Sequence, residues 1–431
     1  MTIPQLTTLS IAQLIASLTA LPQPASIADP ALESAIRYEL SLYNRPLAAS
    51  DLQQLISLQA DHRNITSLEG FSGATRLTDL ILSFNQITRA TLPPDLFSLL
   101  ELHLQANGLQ SLSTTAPLPS LINLNLAENL LTNVSFLQHT PALTSLHLEA
   151  NALPDFLPPA PLTNLQFLNL SFNLIQNPGF FTQLPALQTL YLDDNSLTQI
   201  NLAQSHPNLT ALSLSINRIQ NLGFLELLPH LQELDLSANF ATHFDLPHGL
   251  NQLRWLNLGE NRLTQVSFPD DMTNLTSLYL DDNRLEQLPN LTPLSNLTLL
   301  DLGINSLTTV AIPHTLTNLQ NLELRLNPVT TLILPECLAT NALLSTVETL
   351  SANGVAIHAY PIPPHLEITP LRGQQLLLLT LQGPPETYSI HTSSNLIHWL
   401  HLTSLTNTLG SATLSIPLPP TPLFLNASFL P

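Results

Sequence analysis

The chain has 431 residues, 44% of them hydrophobic and only 10% charged, against about 25% charged in an ordinary soluble domain. Its 30 acids and 11 bases leave −19 at neutral pH, and every base is an arginine. Nucleotide-binding and Schiff-base chemistries that need a lysine amine are therefore excluded, and so acidic a chain lacks the basic face that nucleic acid requires.

Residues 1–28 have an apolar centre and small residues before Asp29, as a signal peptide would, but no base precedes Arg37. An export signal and a plain amphipathic extension both fit this pattern. No apolar run reaches the 18 residues of a membrane span. Over 29–54 the pattern is helical. Asp29 followed by Pro30 is an N-cap with proline at the first helical position, and Leu32, Ile36, Leu40 and Tyr43 recur at helical spacing. Ser50 with Gln53 forms a capping box for a second short helix.

From residue 55 to about 340 one pattern, LxxLxLxxN, begins thirteen times at steps of 22 residues, from Leu55 to Leu319. Position 9 is asparagine in twelve repeats and Arg63 in the first. Leucines at positions 4 and 6 alternate with polar residues at 3, 5 and 7, the period of a short strand with one buried face. One repeat buries roughly five apolar side chains at about 1.5–3 kcal/mol each, while ordering 22 residues costs on the order of 30 kcal/mol. Only stacking closes that gap, so the strands build one parallel sheet with nearest-neighbour stability. Asparagine carries both donors and an acceptor, so the twelve side chains are expected to satisfy buried backbone in a ladder. The nine-residue strand segments contain none of the 36 prolines, which leaves the other 13 positions of each repeat as an extended or 3₁₀ return limb.

These residues resemble the leucine-rich repeats of the 22-residue class, as in bacterial internalins and the SDS22-like group. The resemblance implies an α/β-type solenoid that is predominantly β: a horseshoe of 13 repeats with the parallel sheet on its concave face, acting as a protein-binding scaffold. Residues 29–54 are similar to the helical N-terminal cap of such bacterial surface proteins. After Leu332 the register fails. Residues 348–357 read as a degenerate last repeat, and the proline-rich residues 360–365 as a linker. Residues 366–431 alternate as short strands between turns, predicting a small β-sandwich. Gly383, Tyr388, Ile390, Ser394, Asn395, Leu396 and Trp399 resemble a C-terminal β module found on exported bacterial proteins, although a plain capping domain fits them equally.

Catalytic signatures are missing: there is no Gly-x-Ser-x-Gly, His-Glu-x-x-His or Cys-x-x-Cys. His398 and His401 have the spacing of a metal pair, but strand geometry turns them to opposite sides. Cys337 follows the array where some leucine-rich repeat effectors carry a catalytic cysteine. Leu338 and Ala339 stand in place of their Cys-x-Asp motif, so a packed structural thiol is expected. Residues 418–422 nearly spell a sortase signal, with Pro422 where glycine is required. No cofactor is implied.

Positions 2, 3, 5, 7 and 8 line or flank the open sheet face, and they hold fourteen of the 30 acids. The candidate protein-binding residues are Phe167, Asn169, Tyr191, Asp193, Asp194, Arg254, Trp255, Asn257, Tyr279, Asp281, Asp282, Asp301 and Glu323. Phe167 and Trp255 share position 3, with Tyr191 and Tyr279 at position 5 one repeat later, so each pair is expected to meet across adjacent strands. Aromatics beside an arginine are common interface anchors, and the acids suit a partner with a basic surface. Glu260, Asp281, Asp282 and Asp301 lie on adjacent strands, where a weak calcium site is conceivable. The expected function is non-enzymatic protein recognition on the concave face, with a structural or adhesive envelope role, binding glycan or spacing modules, as the alternative. The expected location is extracellular or in the cell envelope. A cytoplasmic one, and any oligomeric state, stay open.

Overall fold

A computed structural model describes residues 24–371, 375–417 and 424–429. Residues 1–23 of the apolar N-terminal segment and the sortase-like residues 418–422 lie outside the described residues. The chain divides into two compact units between Tyr191 and Leu192.

The first unit carries seven parallel three-residue strands in chain order: Ser57–Gln59, Asp79–Ile81, Glu101–His103, Asn123–Asn125, Ser145–His147, Phe167–Asn169 and Thr189–Tyr191. Leu58 faces Leu80, Leu102 faces Leu124, and Leu146 faces Leu168, so the register advances by the sequence period. The central leucine of each strand is buried, while the flanking positions 3 and 5 keep one face toward solvent. The second unit continues the pattern with Ala211–Ser213, Glu233–Asp235, Trp255–Asn257, Ser277–Tyr279, Leu299–Asp301 and Asn321–Glu323.

Strands stop after three residues because position 8 turns the chain. From His62 to Leu326, all thirteen of these residues have φ between +46° and +57°. The next residue, position 9, then enters the core. Asn261 shows what it does there: Nδ2 donates to the carbonyls of Leu236, Leu258 and Gly259 at 3.0, 3.1 and 3.0 Å, and Oδ1 accepts from the N–H groups of Asn239 and Ala241 at 3.0 Å. Asn129 makes the equivalent set in the first unit. The expected ladder is present. Arg63 contributes only backbone, its N–H donating to Asn85 Oδ1 at 3.0 Å.

The return limb takes both expected forms. It is extended at Arg89–Leu92, Ser111–Thr114, His243–Asp245, Gln265–Ser267 and Thr309–Ala311, and 3₁₀ at Ser135–His139, Phe181–Gln183 and Gly223–Leu227. The 3₁₀ turns carry two successive large apolar residues, as in Phe136 with Leu137 and Phe224 with Leu225, all buried. Both can turn inward on a tight helix, whereas a strand would turn one outward.

At the N-terminus a helix spans Pro30–Glu39 with Leu32, Ala35 and Ile36 buried. Asp29 Oδ1 caps it, accepting from the N–H of Ala31 (2.8 Å) and Leu32 (3.1 Å). Its Oδ2 accepts from Thr66 N–H (2.6 Å) and Oγ1 (2.7 Å), so one carboxylate fastens the helix to the first repeat. Tyr43, expected on the buried stripe, lies past the helix end and is exposed. The Ser50 capping box is also not formed. Only a 3₁₀ turn Leu52–Gln54 follows, without a side-chain cap, and Asp51 instead pairs with Arg45 at 2.6 Å.

At the other end the strand Thr331–Pro335 still pairs with Thr309–Ala311 in the 22-residue frame, and the register then fails as expected, the next pairing stepping 25 residues from Thr331 to Ala356. The expected last repeat then fails to form a concave strand. A helix, Leu344–Ala352, takes that place, and Ala356–Tyr360 joins the return-limb sheet beside Thr331–Pro335. The expected linker is anchored, since Tyr360 is buried and donates to Ile312 O at 2.6 Å. Beyond it lie two three-stranded antiparallel sheets, His365–Leu371 with Leu376–Gln382 and Ser411–Pro417, and Leu400–Thr406 with Thr387–Ser393 and Phe424–Phe429. Leu379, Leu381, Tyr388, Ile390 and Leu405 form their core. Gly383 is required sterically: a Cβ there would lie 2.6 Å from Pro364 Cβ and 2.8 Å from Tyr388 Oη.

Candidate functional site

In the first unit Phe167 and Tyr191 meet edge to face on adjacent strands, with ring centroids 5.7 Å apart. His147, one strand earlier, extends the row at 4.7 Å from Phe167. The sequence reading missed His147, although it occupies position 5 like Tyr191. Asn169 is turned to its own backbone, Oδ1 accepting from Ser171 N–H at 3.0 Å.

The second unit repeats the motif. Trp255 and Tyr279 lie 5.7 Å apart at 52°, both half-buried on the open face. Arg254, beside Trp255, is exposed and forms no ion pair among the described residues. Asn257 and Asp301 use one oxygen locally, on the N–H of Gly259 (3.0 Å) and Gly303 (2.9 Å). Asp235 does the same with Ser237 N–H at 2.8 Å. Position 5 is thus an Asx-type turn acceptor wherever it is Asn or Asp in these strands. The second oxygen or the amide remains for other contacts, as where Asn257 Nδ2 donates to Asp235 at 3.2 Å.

The acids divide by role. Asp193 is engaged within the sheet by the Ser213 hydroxyl and by Ser215 N–H and Oγ, the latter two at 2.9 Å. Asp281 lies over Gly259, where a Cβ would come within 2.7 Å of its Oδ1. Burial pushes the Asp281 carboxyl up, the charges of Asp301 and Glu260 push it further, and Arg325 opposes them. Burial likewise raises Asp235 against the hydrogen bonds of Ser237. Asp194 and Asp282 are exposed, but at φ +46° and +49° they occupy the turn that leaves the sheet. Glu323 is exposed on the last strand, in register with Asp301.

Among the described residues no three His, Cys, Asp or Glu side chains converge as a metal site, so the conceived calcium cluster does not assemble. Cys337, expected to be packed, is exposed. His398 lies in the loop before the strand, while His401 faces His391 across strands at 5.8 Å. The turn at position 8 and the residue two places on also present apolar side chains that the leucine pattern hides: Leu130, Phe172 and Leu174 in the first unit, Ile216, Phe240 and Leu326 in the second, all exposed. Their signal was an apolar residue at a position where other repeats carry Asp, Glu, Ser or Arg. No helix of the described residues is long and apolar enough to cross a membrane.

The family model for "Leucine Rich repeats (2 copies)" matches residues 163–204 and 251–293, the segments that carry the two aromatic pairs. Among solved structures the chain resembles an internalin (inlF) of Listeria monocytogenes, at 24% identity and TM-score 0.58 over 73% of this chain and 94% of that one. InlJ of the same organism matches at 21% and 0.56, covering 83% and 94%. YopM of Yersinia pestis, a leucine-rich effector protein, matches at 27% and 0.51, covering 60% and 69%. No curated protein matches the chain. The repeats in these two matched segments are leucine-rich repeats, and the parallel-strand solenoid is the fold of leucine-rich repeat proteins.

Proposed function

We propose that this chain is a non-enzymatic recognition scaffold whose open sheet face binds a protein partner with a basic surface. The observation that carries the reading is the pair Trp255 and Tyr279, on adjacent strands beside Arg254, which has no ion pair among the described residues, and bordered by Asp281, Asp301 and Glu323. Aromatic and arginine side chains held on a rigid sheet lose little entropy on binding, which is why they dominate interfaces. Phe167 and Tyr191, with Asn169 beside them, form the equivalent patch in the first unit. Asp193, Asp194 and Asp282 add negative potential that speeds a basic partner's approach. Asn257 positions the loop under Asp281. The helix Pro30–Glu39 is read as an N-terminal cap and the paired antiparallel sheets as an export-associated module, a reading in keeping with a location outside the cytoplasm or in the envelope.

The test is affinity capture from envelope and surrounding extracts, with the full chain as bait beside a Tyr191→Ala, Trp255→Ala, Tyr279→Ala variant. The three side chains lie on the open face, so folding should survive. A hot-spot loss of about 2 kcal/mol would reduce affinity roughly 30-fold. Retention of a partner only by the unaltered bait, weakened by salt, supports the proposal. Equal capture by both baits refutes it, and retention of saccharide without protein favours the envelope alternative.

A further inference from the structure

In the repeats that begin at Leu209, Leu231, Leu253, Leu275 and Leu297, three N–H groups are answered by the repeat that follows. Leu280, Asp282 and Leu285 donate to Asp301 O (2.8 Å), Gly303 O (2.9 Å) and Asn305 Oδ1 (2.9 Å). Leu302, Ile304 and Leu307 donate to Glu323 O (3.0 Å), Arg325 O (2.8 Å) and Asn327 Oδ1 (3.0 Å). The corresponding groups of the last repeat belong to Leu324, Leu326 and Val329, and none has an acceptor among the described residues. The carbonyl of Gln320, which should receive the next repeat's donors as Thr298 O receives those of Gln320 and Asn321, likewise has none among them.

The reason lies in the sequence. The ladder's next position 9 is Thr349 rather than Asn, and it falls inside the helix Leu344–Ala352. That helix does not close the sheet. None of its residues is buried, and a cleft of about 550 Å³ separates it from the last strand, with Leu322 and Leu324 on one wall and Thr346 and Leu350 on the other. Leu326 stands at the cleft 74% exposed. An open strand edge is a template for another strand.

We propose that an extended segment of a protein partner adds to this edge in parallel register with Asn321–Glu323, between the last repeat and the helix. The donors of Leu324 and Leu326, without acceptors among the described residues, specify backbone carbonyls two residues apart, the geometry of β-strand addition. Leu322, Leu324 and Leu350 specify apolar side chains on the inward face. On the outward face Glu323 is exposed beside Asp301, and Arg325 lies back over Gly303, so a basic side chain fits there. This is a second contact point, distinct from the aromatic patches. It shares with the recognition reading only the basic character of the partner.

The test uses hydrogen–deuterium exchange of the full chain. The probe is a nine-residue peptide copying residues 253–261 with Glu260→Lys, which supplies the missing carbonyls, the missing asparagine and two bases. Residues 324–329 are expected to exchange rapidly in the free chain and to slow by at least about tenfold with peptide. Peptide N-methylated at both its arginine and its tryptophan, which blocks both donations to Gln320 O, should give no protection. A Thr346→Trp chain, its cleft filled from a helix without buried residues, should also give none. Trp255→Ala and Tyr279→Ala should leave protection intact, so failure of the concave-face reading and failure of this one are separable. Slow exchange at 324 and 326 in the free chain overturns the proposal, as does absence of protection at about 1 mM peptide or protection that survives Thr346→Trp. Protection without peptide that disappears on dilution also overturns it, since the occupant is then a second copy of the chain.

Discussion

At position 8 each repeat holds an L-residue in the left-handed region, and in Ile216 and Ile304 the side chain is β-branched at φ +52° and +53°. That conformation costs on the order of 1–2 kcal/mol for an ordinary residue, and asparagine tolerates it best after glycine. Ile216 is 48% exposed, so it recovers little by burial. Ile216→Asn is expected to stabilise the chain by about 1 kcal/mol, as a shift of the urea midpoint without a change in slope. Asp235 offers a second gain. Its carboxyl is raised by burial, so its ionised form costs stability at neutral pH, and the cost is relieved as pH falls through the raised value. Asp235→Asn keeps the turn acceptor that Asn257 demonstrates. It should raise the Tm at pH 7 and lose that advantage as pH falls toward 4. Asp29 has the opposite sign. The N–H groups of Thr66, Leu32 and Ala31 and the Thr66 hydroxyl outweigh burial and hold it below the usual 3.8. The stability it adds is full above that value and is lost as pH falls through the lowered one. Asp29→Ala should cost about 1–2 kcal/mol at pH 7, with a smaller difference from the parent in acid.

Among the elements, the asparagine ladder is the strongest local determinant. Asn261→Ala would leave three carbonyls and two N–H groups inside the core without their partner. With about 1–3 kcal/mol for each buried group left unsatisfied, a loss of at least ~3 kcal/mol is expected in chemical denaturation. The ladder was legible in the sequence because twelve equal spacings leave one geometry for the side chain. The form of each return limb was legible only as a choice between two. Successive apolar residues, Phe136 with Leu137 or Phe180 with Phe181, coincide with a 3₁₀ turn, whereas Val266 and Phe268 alternate across Ser267 and stay extended. The capping elements were read less well. Leu40 and Tyr43 continue the helical spacing on paper, yet the helix ends at Glu39, because the spacing reports compatibility with a helix and not where the first repeat stops covering it.

For the whole chain, stability in each unit is a sum over neighbouring repeats. Removing residues 275–296, one full period, should preserve a cooperative fold in circular dichroism melts with a Tm lower by only a few degrees. Removing 275–285, half a period, should abolish it, because every leucine layer beyond would turn out of register. Among the described residues the last concave strand is the place where this sum ends without closure, and the first is fastened by Asp29.

The sequence by itself determined the repeat, its register, the buried leucines, the asparagine ladder and the neighbourhood of Phe167 with Tyr191 and of Trp255 with Tyr279. Each of these recurs in a one-dimensional lattice, where spacing along the chain becomes distance between strands. Only the tertiary structure decided what occurs once. It bound Asn169, Asn257 and Asp301 to their own turns and Asp193 to two serines. It exposed Cys337, and it began the degenerate last repeat with a helix. A side chain's exposure and a strand's open edge depend on what packs from the neighbouring turn, and a non-repeating segment carries no periodic signal of its neighbours.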